Sequence, residues 1–173
     1  DSLGKRVFSK KVQISERPHL RGGFASGFFD SDGVATQDRE VVVDGVLQGY
    51  FLNAYTARKL GMQTTANAGG CHNLIVHPGK HDFQALLKKM GRGLLVTELL
   101  GQGINYVNGD YSRGAAGYWV EHGEIVHAVE EITIAGNLSD MFRNIAAVGN
   151  DVLVRGSKQV GSILVEKMKV AGS

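Results

Sequence analysis

Residues 101–129, GQGINYVNGDYSRGAAGYWVEHGEIVHAV, decide how the rest of the chain is read. Ile104, Tyr106 and Val107 precede Asn108-Gly109-Asp110, and an Asn-Gly pair supplies the positive backbone angles that a tight hairpin needs. A first hairpin is predicted there. Tyr118, Trp119 and Val120 then lead into Glu121-His122-Gly123-Glu124, after which Ile125, Val126, Ala128 and Val129 form another half-apolar strand. Gly123 marks the second turn. Between the hairpins, residues 112–117 (SRGAAG) are small enough to let another backbone lie close, as a groove for an extended chain requires. Gly101, Gly103, Gly114 and Gly117 are therefore expected to line a peptide path, with Asn108, Asp110 and Arg113 beside it to satisfy the guest's amides. The competing reading is a plain surface connection whose glycines serve turn geometry alone.

Working outward, the flanking segments alternate between strands and short helices. On the N-terminal side, residues 6–14 (RVFSKKVQI) read as an edge strand interrupted by Lys10 and Lys11. Residues 19–40 form a Gly-rich loop that Phe24, Phe28 and Phe29 are expected to pin to the core. Asp44-Gly45 between valine-rich runs predicts a two-residue hairpin turn. Residues 53–60 read as a helix capped by Asn53 and stopped by Gly61, and residues 73–76 as a short strand. A second helix follows over residues 81–90, where Phe83, Leu86, Leu87 and Met90 share a face, and residues 93–99 read as an interior strand. On the C-terminal side, Ile132 to Ile134 continue the sheet, and a third helix starts at residues 137–140, carries Ile145 on its apolar face and is closed by Gly149. Residues 152–154 and 162–170 supply the last strands, the second with a bulge. The expected class is α+β, mostly antiparallel sheet with about three short helices, in one compact domain over residues 1–173.

Bulk properties remove several functions. The 173 residues include 24 Gly and 2 Pro without a regular Gly period, which favours a turn-rich β protein over collagen or disorder. A net charge of +2 with scattered Lys and Arg makes no basic stripe, so nucleic acid is not expected as a partner. No apolar run reaches the roughly 20 residues of a membrane helix, and a single Cys points to a reducing compartment, most simply the cytoplasm. The first residue is Asp1 rather than Met, in keeping with a piece of a longer polypeptide.

Cys71, His72, His77 and His81 lie close in sequence and are a credible donor set for zinc. Their spacing matches no compact zinc module, since Pro78-Gly79 separates His77 from His81 and denies them a shared helical face. Neither a nucleophile elbow, a phosphate-cradling loop nor a zinc helix with paired His and Glu is present in the sequence. The residues thus leave two functions open: a binding domain, or a metal-dependent hydrolase using Cys71 with His77 or His81. Metal analysis of the purified chain separates them.

Residues 68–80 (AGGCHNLIVHPGK), 101–111, 121–124 (EHGE) and 145–151 (IAAVGND) together resemble the TldD/PmbA metallopeptidase family, nearer its TldE-like than its TldD-like branch. The resemblance extends from Asp32-Gly33-Val34 to Lys169-Val170-Ala171-Gly172. It implies a two-component peptidase of the bacterial cytoplasm that takes unfolded peptides. In that arrangement a TldD-like subunit carries zinc on a His-Glu-x-x-x-His helix, completed by a Cys in a Gly-rich loop near the C-terminus. The loop that looks equivalent here, residues 155–161 (RGSKQVG), has no Cys. This departure implies the partner without the zinc site, whose domain contributes peptide channel and subunit interface.

Overall fold

The structure is a computed structural model describing residues 2–172. Where one compact domain is expected, the described chain is arranged as two compact units. One comprises the residues up to Pro78 together with Asp151–Gly161; the other comprises Gly79–Asn150 and the chain from Ser162 onward.

The first unit is built on a six-stranded sheet. Its strands are β1 (Ile14–Glu16), β2 (Arg39–Val43), β3 (Val46–Leu47), β4 (Leu74–Val76), β9 (Leu153–Arg155) and β10 (Lys158–Val160). They lie in the order β3-β2-β1-β4-β10-β9, all antiparallel neighbours except β10 and β4. The Asp44-Gly45 turn forms as expected, with φ of 48° and 77° at its two central residues. Gly is obligatory there for a second reason, because a Cβ on Gly45 would lie 2.6 Å from the Ser9 carbonyl oxygen. Helix α1 (Ala54–Leu60) also forms as read: Asn53 accepts from the Thr56 amide at 2.7 Å, and Gly61 ends the helix in the left-handed region.

Two expectations in this unit give way to long-range pairing. The N-terminal edge strand is instead a loop whose Val7 and Phe8 amides donate to Gly45, and the strand that follows it, β1, is central, flanked by β2 and β4. Phe24, Phe28 and Phe29 do not pin their loop, being 83%, 72% and 66% exposed. Asp30 holds it instead, its carboxylate accepting the amides of Asp32, Val34 and Ala68 at 2.9 to 3.0 Å.

The second unit is organised by a four-stranded antiparallel sheet in the order β12-β7-β6-β5, made of β5 (Gly93–Leu100), β6 (Asp110–Glu121), β7 (Glu124–Asn137) and β12 (Lys169–Ala171). A separate pair joins β8 (Ile145–Val148) to β11 (Ile163–Val165). The His122-Gly123 turn between β6 and β7 has φ of 53° and 78°, and the Gly123 amide donates to the Gly91 carbonyl at 2.8 Å. That bond ties the hairpin tip to the end of helix α2 (Phe83–Met90), which Asp82 caps through the Ala85 amide. One face of the sheet closes over Tyr111, Ala115, Ile132 and Ile134, with Leu94, Val96 and Met168 packed against them.

Several local readings change here. Residues 104–107 are not a strand but a turn, reduced to a single bridge between Ile104 and Tyr111 with Tyr106 and Val107 at its exposed tip. Residues 112–117 are not a connection but part of β6, paired with β7 from Ser112 and with β5 from Gly114. β5, read as interior, is an edge. Helix α3 (Leu138–Arg143) stops at Asn144, so Ile145 belongs to β8, and residues 162–170 divide between two strands in different sheets.

Candidate functional site

Of the residues singled out around 101–117, all but Gly117 lie where β5 ends and β6 begins; Gly117 is opposite Val96 in the middle of the sheet. Gly101, with φ of 69°, turns the chain away from Leu100 into solvent. The Gly103 carbonyl accepts the Ser112 amide at 2.8 Å, and a Cβ at Gly103 would collide with the Ser112 carbonyl oxygen. Gly117 is buried and meets the Leu95 carbonyl in the same manner, whereas a Cβ at Gly114 would sit 3.2 Å from the Leu100 side chain. Two of the four glycines thus serve close approach of the chain to itself. Asn108 and Asp110 are also committed locally: Asn108 Oδ1 accepts the Asp110 amide at 3.0 Å and its Nδ2 donates to Asp110 Oδ2 at 2.7 Å.

Arg113 differs. Its Nη2 donates to the Leu99 carbonyl at 3.2 Å, at the end of β5, but its Nε is buried and has no acceptor. An unpaired buried donor costs free energy, on the order of 1–3 kcal/mol. Among the described residues β5 has only β6 as a strand neighbour, at Leu99 opposite Ala115 and Leu100 opposite Gly114, so its outer row of amides and carbonyls faces away from the sheet. Residues 97–100 are exposed. An open strand edge beside an unsatisfied guanidinium nitrogen can accept an extended chain through main-chain hydrogen bonds.

A second polar constellation, which the sequence reading missed, lies in the first unit. Glu16 is 1% exposed. Its Oε2 accepts Arg39 Nε at 2.7 Å, and its Oε1 accepts Asn67 Nδ2 at 2.7 Å and the His72 amide at 2.8 Å, with His72 Nδ1 at 3.3 Å. Arg39 is further held by the Tyr50 carbonyl and Asn67 Oδ1. Beside it, Glu40 receives Arg17, Gln13 and the Ser15 hydroxyl. The Arg17 bond chiefly, then the Ser15 bond, hold the Glu40 carboxyl below its ordinary pKa against the effect of burial. Ser15 Oγ also lies 2.6 Å from His77 Nε2. Since the hydroxyl proton goes to the ionised Glu40, His77 is the donor in that contact, and the pair is not a nucleophile with its base. Burial pushes the Asp30 carboxyl up, but the amides of Ala68, Val34 and Asp32 and the nearby His72 outweigh it and leave its pKa lowered. Nothing in the sequence marks Glu16, a lone acid in ISERP, as the centre of this network.

Cys71 and His72 line an open pocket of about 350 Å³ with Asp30 and Phe29. His81 forms a single bridge with Gly149. Among the described residues no three His, Cys, Asp or Glu side chains converge on a point that could hold a metal ion. Cys71, His72, His77 and His81 are thus not brought together as one donor set among the described residues.

Comparison with known proteins bears on the same residues. The model of the PmbA/TldA metallopeptidase C-terminal domain matches residues 1–172. The chain is 54% identical over 172 residues to Metalloprotease PmbA of Escherichia coli O157:H7, covering 99% of this chain and 38% of that protein. It thus spans less than half of such relatives. A crystal structure from Thermotoga maritima, described as a putative modulator of a DNA gyrase, superposes with a TM-score of 0.89 at 44% identity, over 98% of this chain and 41% of the other. TldE from Thermococcus kodakarensis has the same fold, with a TM-score of 0.86 at 23% identity over 99% of this chain and 42% of the other. A match across the whole described chain, in sequence and in fold, makes it a C-terminal domain of the PmbA/TldA metallopeptidase family.

Proposed function

We propose that the chain is the C-terminal domain of a TldE-type subunit, which pairs with a TldD-like catalytic subunit in the bacterial cytoplasm and presents unfolded peptide to the partner's zinc. The peptide adds as a strand to the outer edge of β5 and runs past Gly101, Gly103, Asn108, Asp110 and Arg113, while Gly114 and Gly117 lie one strand further in and let β6 pack closely on β5. The observation that supports this is Arg113, whose Nε has no acceptor and whose Nη2 reaches the Leu99 carbonyl at the end of β5, the edge strand. A peptide carbonyl there satisfies the guanidinium, while Gly101, with open space around it, leaves room and Asn108 with Asp110 keeps the turn in shape. Because the pairing uses main-chain groups, it reads no side chains, and a broad range of unfolded peptides follows.

The test is peptide digestion by the reconstituted pair carrying Arg113→Met. Loss of a charge-assisted hydrogen bond, about 1.5 kcal/mol, should raise KM about tenfold and leave kcat nearly unchanged. An unaltered KM, with the thermal melt also unaltered, would remove Arg113 from the peptide path. Gly103→Leu is unsuited to the purpose, because it strikes the Ser112 carbonyl whether or not a peptide passes.

A further inference from the structure

The two edges of β7 have different fates. The inner edge pairs with β6 along its whole length, but the outer edge is covered by β12 only at Thr133, Ile134 and Ala135. From Glu124 to Glu131 no strand of the described residues lies along it. A bulge separates the halves: Ala115 pairs with Ile132 and Gly117 with Val129, which leaves Glu130 and Glu131 opposite Ala116, with Glu131 at φ of 56°. Bulges re-aim a strand. Beyond this one, Ile125 is 47% exposed and Val126 56%. A second register shift, with Trp119 opposite His127 and Val120 opposite Ile125, leaves Val126 as an extra residue, so Ile125 and Val126 both meet solvent at a bulge. The stretch carries no Lys or Pro, and its charge is confined to glutamates at its two ends.

We propose that the outer edge of β7 over residues 124–130 docks an extended strand of the partner subunit, apolar at its centre and carrying Lys or Arg at its ends. The partner is taken from the two-subunit reading above, on which this inference rests. Charge selects the occupant: Glu124 at one end and Glu130 and Glu131 at the other are all exposed, with no Lys or Arg between them. The same edge already holds one segment of that chemistry, since β12, Lys169-Val170-Ala171, lies antiparallel on residues 133–135 with Lys167 just before it. A second copy of this strand fits poorly. Antiparallel self-pairing that sets Ile125 against Val129 also sets Glu124 against Glu130, and like charges directly opposite repel.

Amide hydrogen exchange on the full-length TldE-type protein, alone and with its TldD-like partner, tests this directly. The complex should slow the amides of residues 125–129 at least tenfold, and the paired substitution Ile125→Glu with Val126→Glu should weaken the complex at least tenfold, with raised salt weakening the unsubstituted one. A complex that forms without slowing those amides, or that slows β5 instead, overturns the proposal. So does a homodimer of the protein alone whose residues 125–129 are already slowed. Should the substituted chain fail to fold, exchange on the unsubstituted complex still decides. If no complex forms at all, the two-subunit reading falls and takes this inference with it, an outcome distinct from a complex with an unprotected edge.

Discussion

In the six-stranded sheet no strand exceeds five residues, whereas β6 and β7 of the four-stranded sheet run for 12 and 14. The long pair carries an extended ladder of main-chain bonds, interrupted by two bulges, over an apolar cluster. Strands of two to five residues offer few such bonds, and around them a buried acid, two arginines and an asparagine do the joining. Glu16 alone connects β1, β2 and the loop before β4. Short strands are thus cross-linked by side chains where long ones are held by backbone, and the first arrangement concentrates its stability in fewer atoms.

The largest expected effect probes that concentration. Glu16→Ala leaves the half-buried Arg39 without its counter-charge and Asn67 and the His72 amide without their acceptor, and the loss is about 3 kcal/mol by chemical denaturation. Exchange should show β1 and β4 losing protection ahead of β6; equal loss in both would break the contrast between the sheets. Gly45→Val comes next, at about 2 kcal/mol, because a β-branched residue must adopt φ of 77° and strike the Ser9 carbonyl. A thermal melt unchanged by that substitution would show the turn to be tolerant.

Acid should weaken the first unit further. Asp30 and Glu40 both have lowered pKa values in the fold, so their contribution is complete above the ordinary carboxylate range of about 4 and is lost as pH falls through and below it. Urea midpoints should fall between pH 5 and pH 2, and Asp30→Asn should flatten that fall; an equally steep curve in the variant would exclude Asp30 as a source. The smallest effect belongs to the long hairpin. Glu131→Gly relieves a left-handed backbone at the bulge, less the entropy Gly brings, for a net gain of about 0.5 kcal/mol. A loss instead would mean that the Glu131 side chain holds the bulge.

What could be read from the sequence divides along the same line. Asp44-Gly45, the Asn53 cap, Gly61 and the α2 face are local chemistry, settled within a few residues, and each forms as read. Whether a strand is central or an edge depends on partners far away, which is why residues 6–14 and β5 take places in the fold that their own sequences do not predict. Phe24, Phe28 and Phe29 were judged by hydropathy, yet Asp30 among them is the residue turned inward, because three amides meet there. At the candidate site, Arg113 was legible by type and neighbourhood. Its orphaned Nε was not, since that depends on which carbonyls the fold leaves out of reach.

The order in which the chain visits its two units carries a consequence for synthesis. β10 lies parallel to β4, and Ser157 accepts the Leu74 amide at 2.8 Å, so the six-stranded sheet recruits its last two strands only after the whole of the four-stranded sheet's central hairpin has been made. A nascent chain ending near residue 150 holds β4 as an unfinished margin, with the amide of Leu74 waiting for a partner. Neither unit can be excised as one uninterrupted fragment. A ribosome pause or a nick between residues 79 and 150 therefore acts on both sheets, and an expression fragment that respects the fold must carry the chain through to β12.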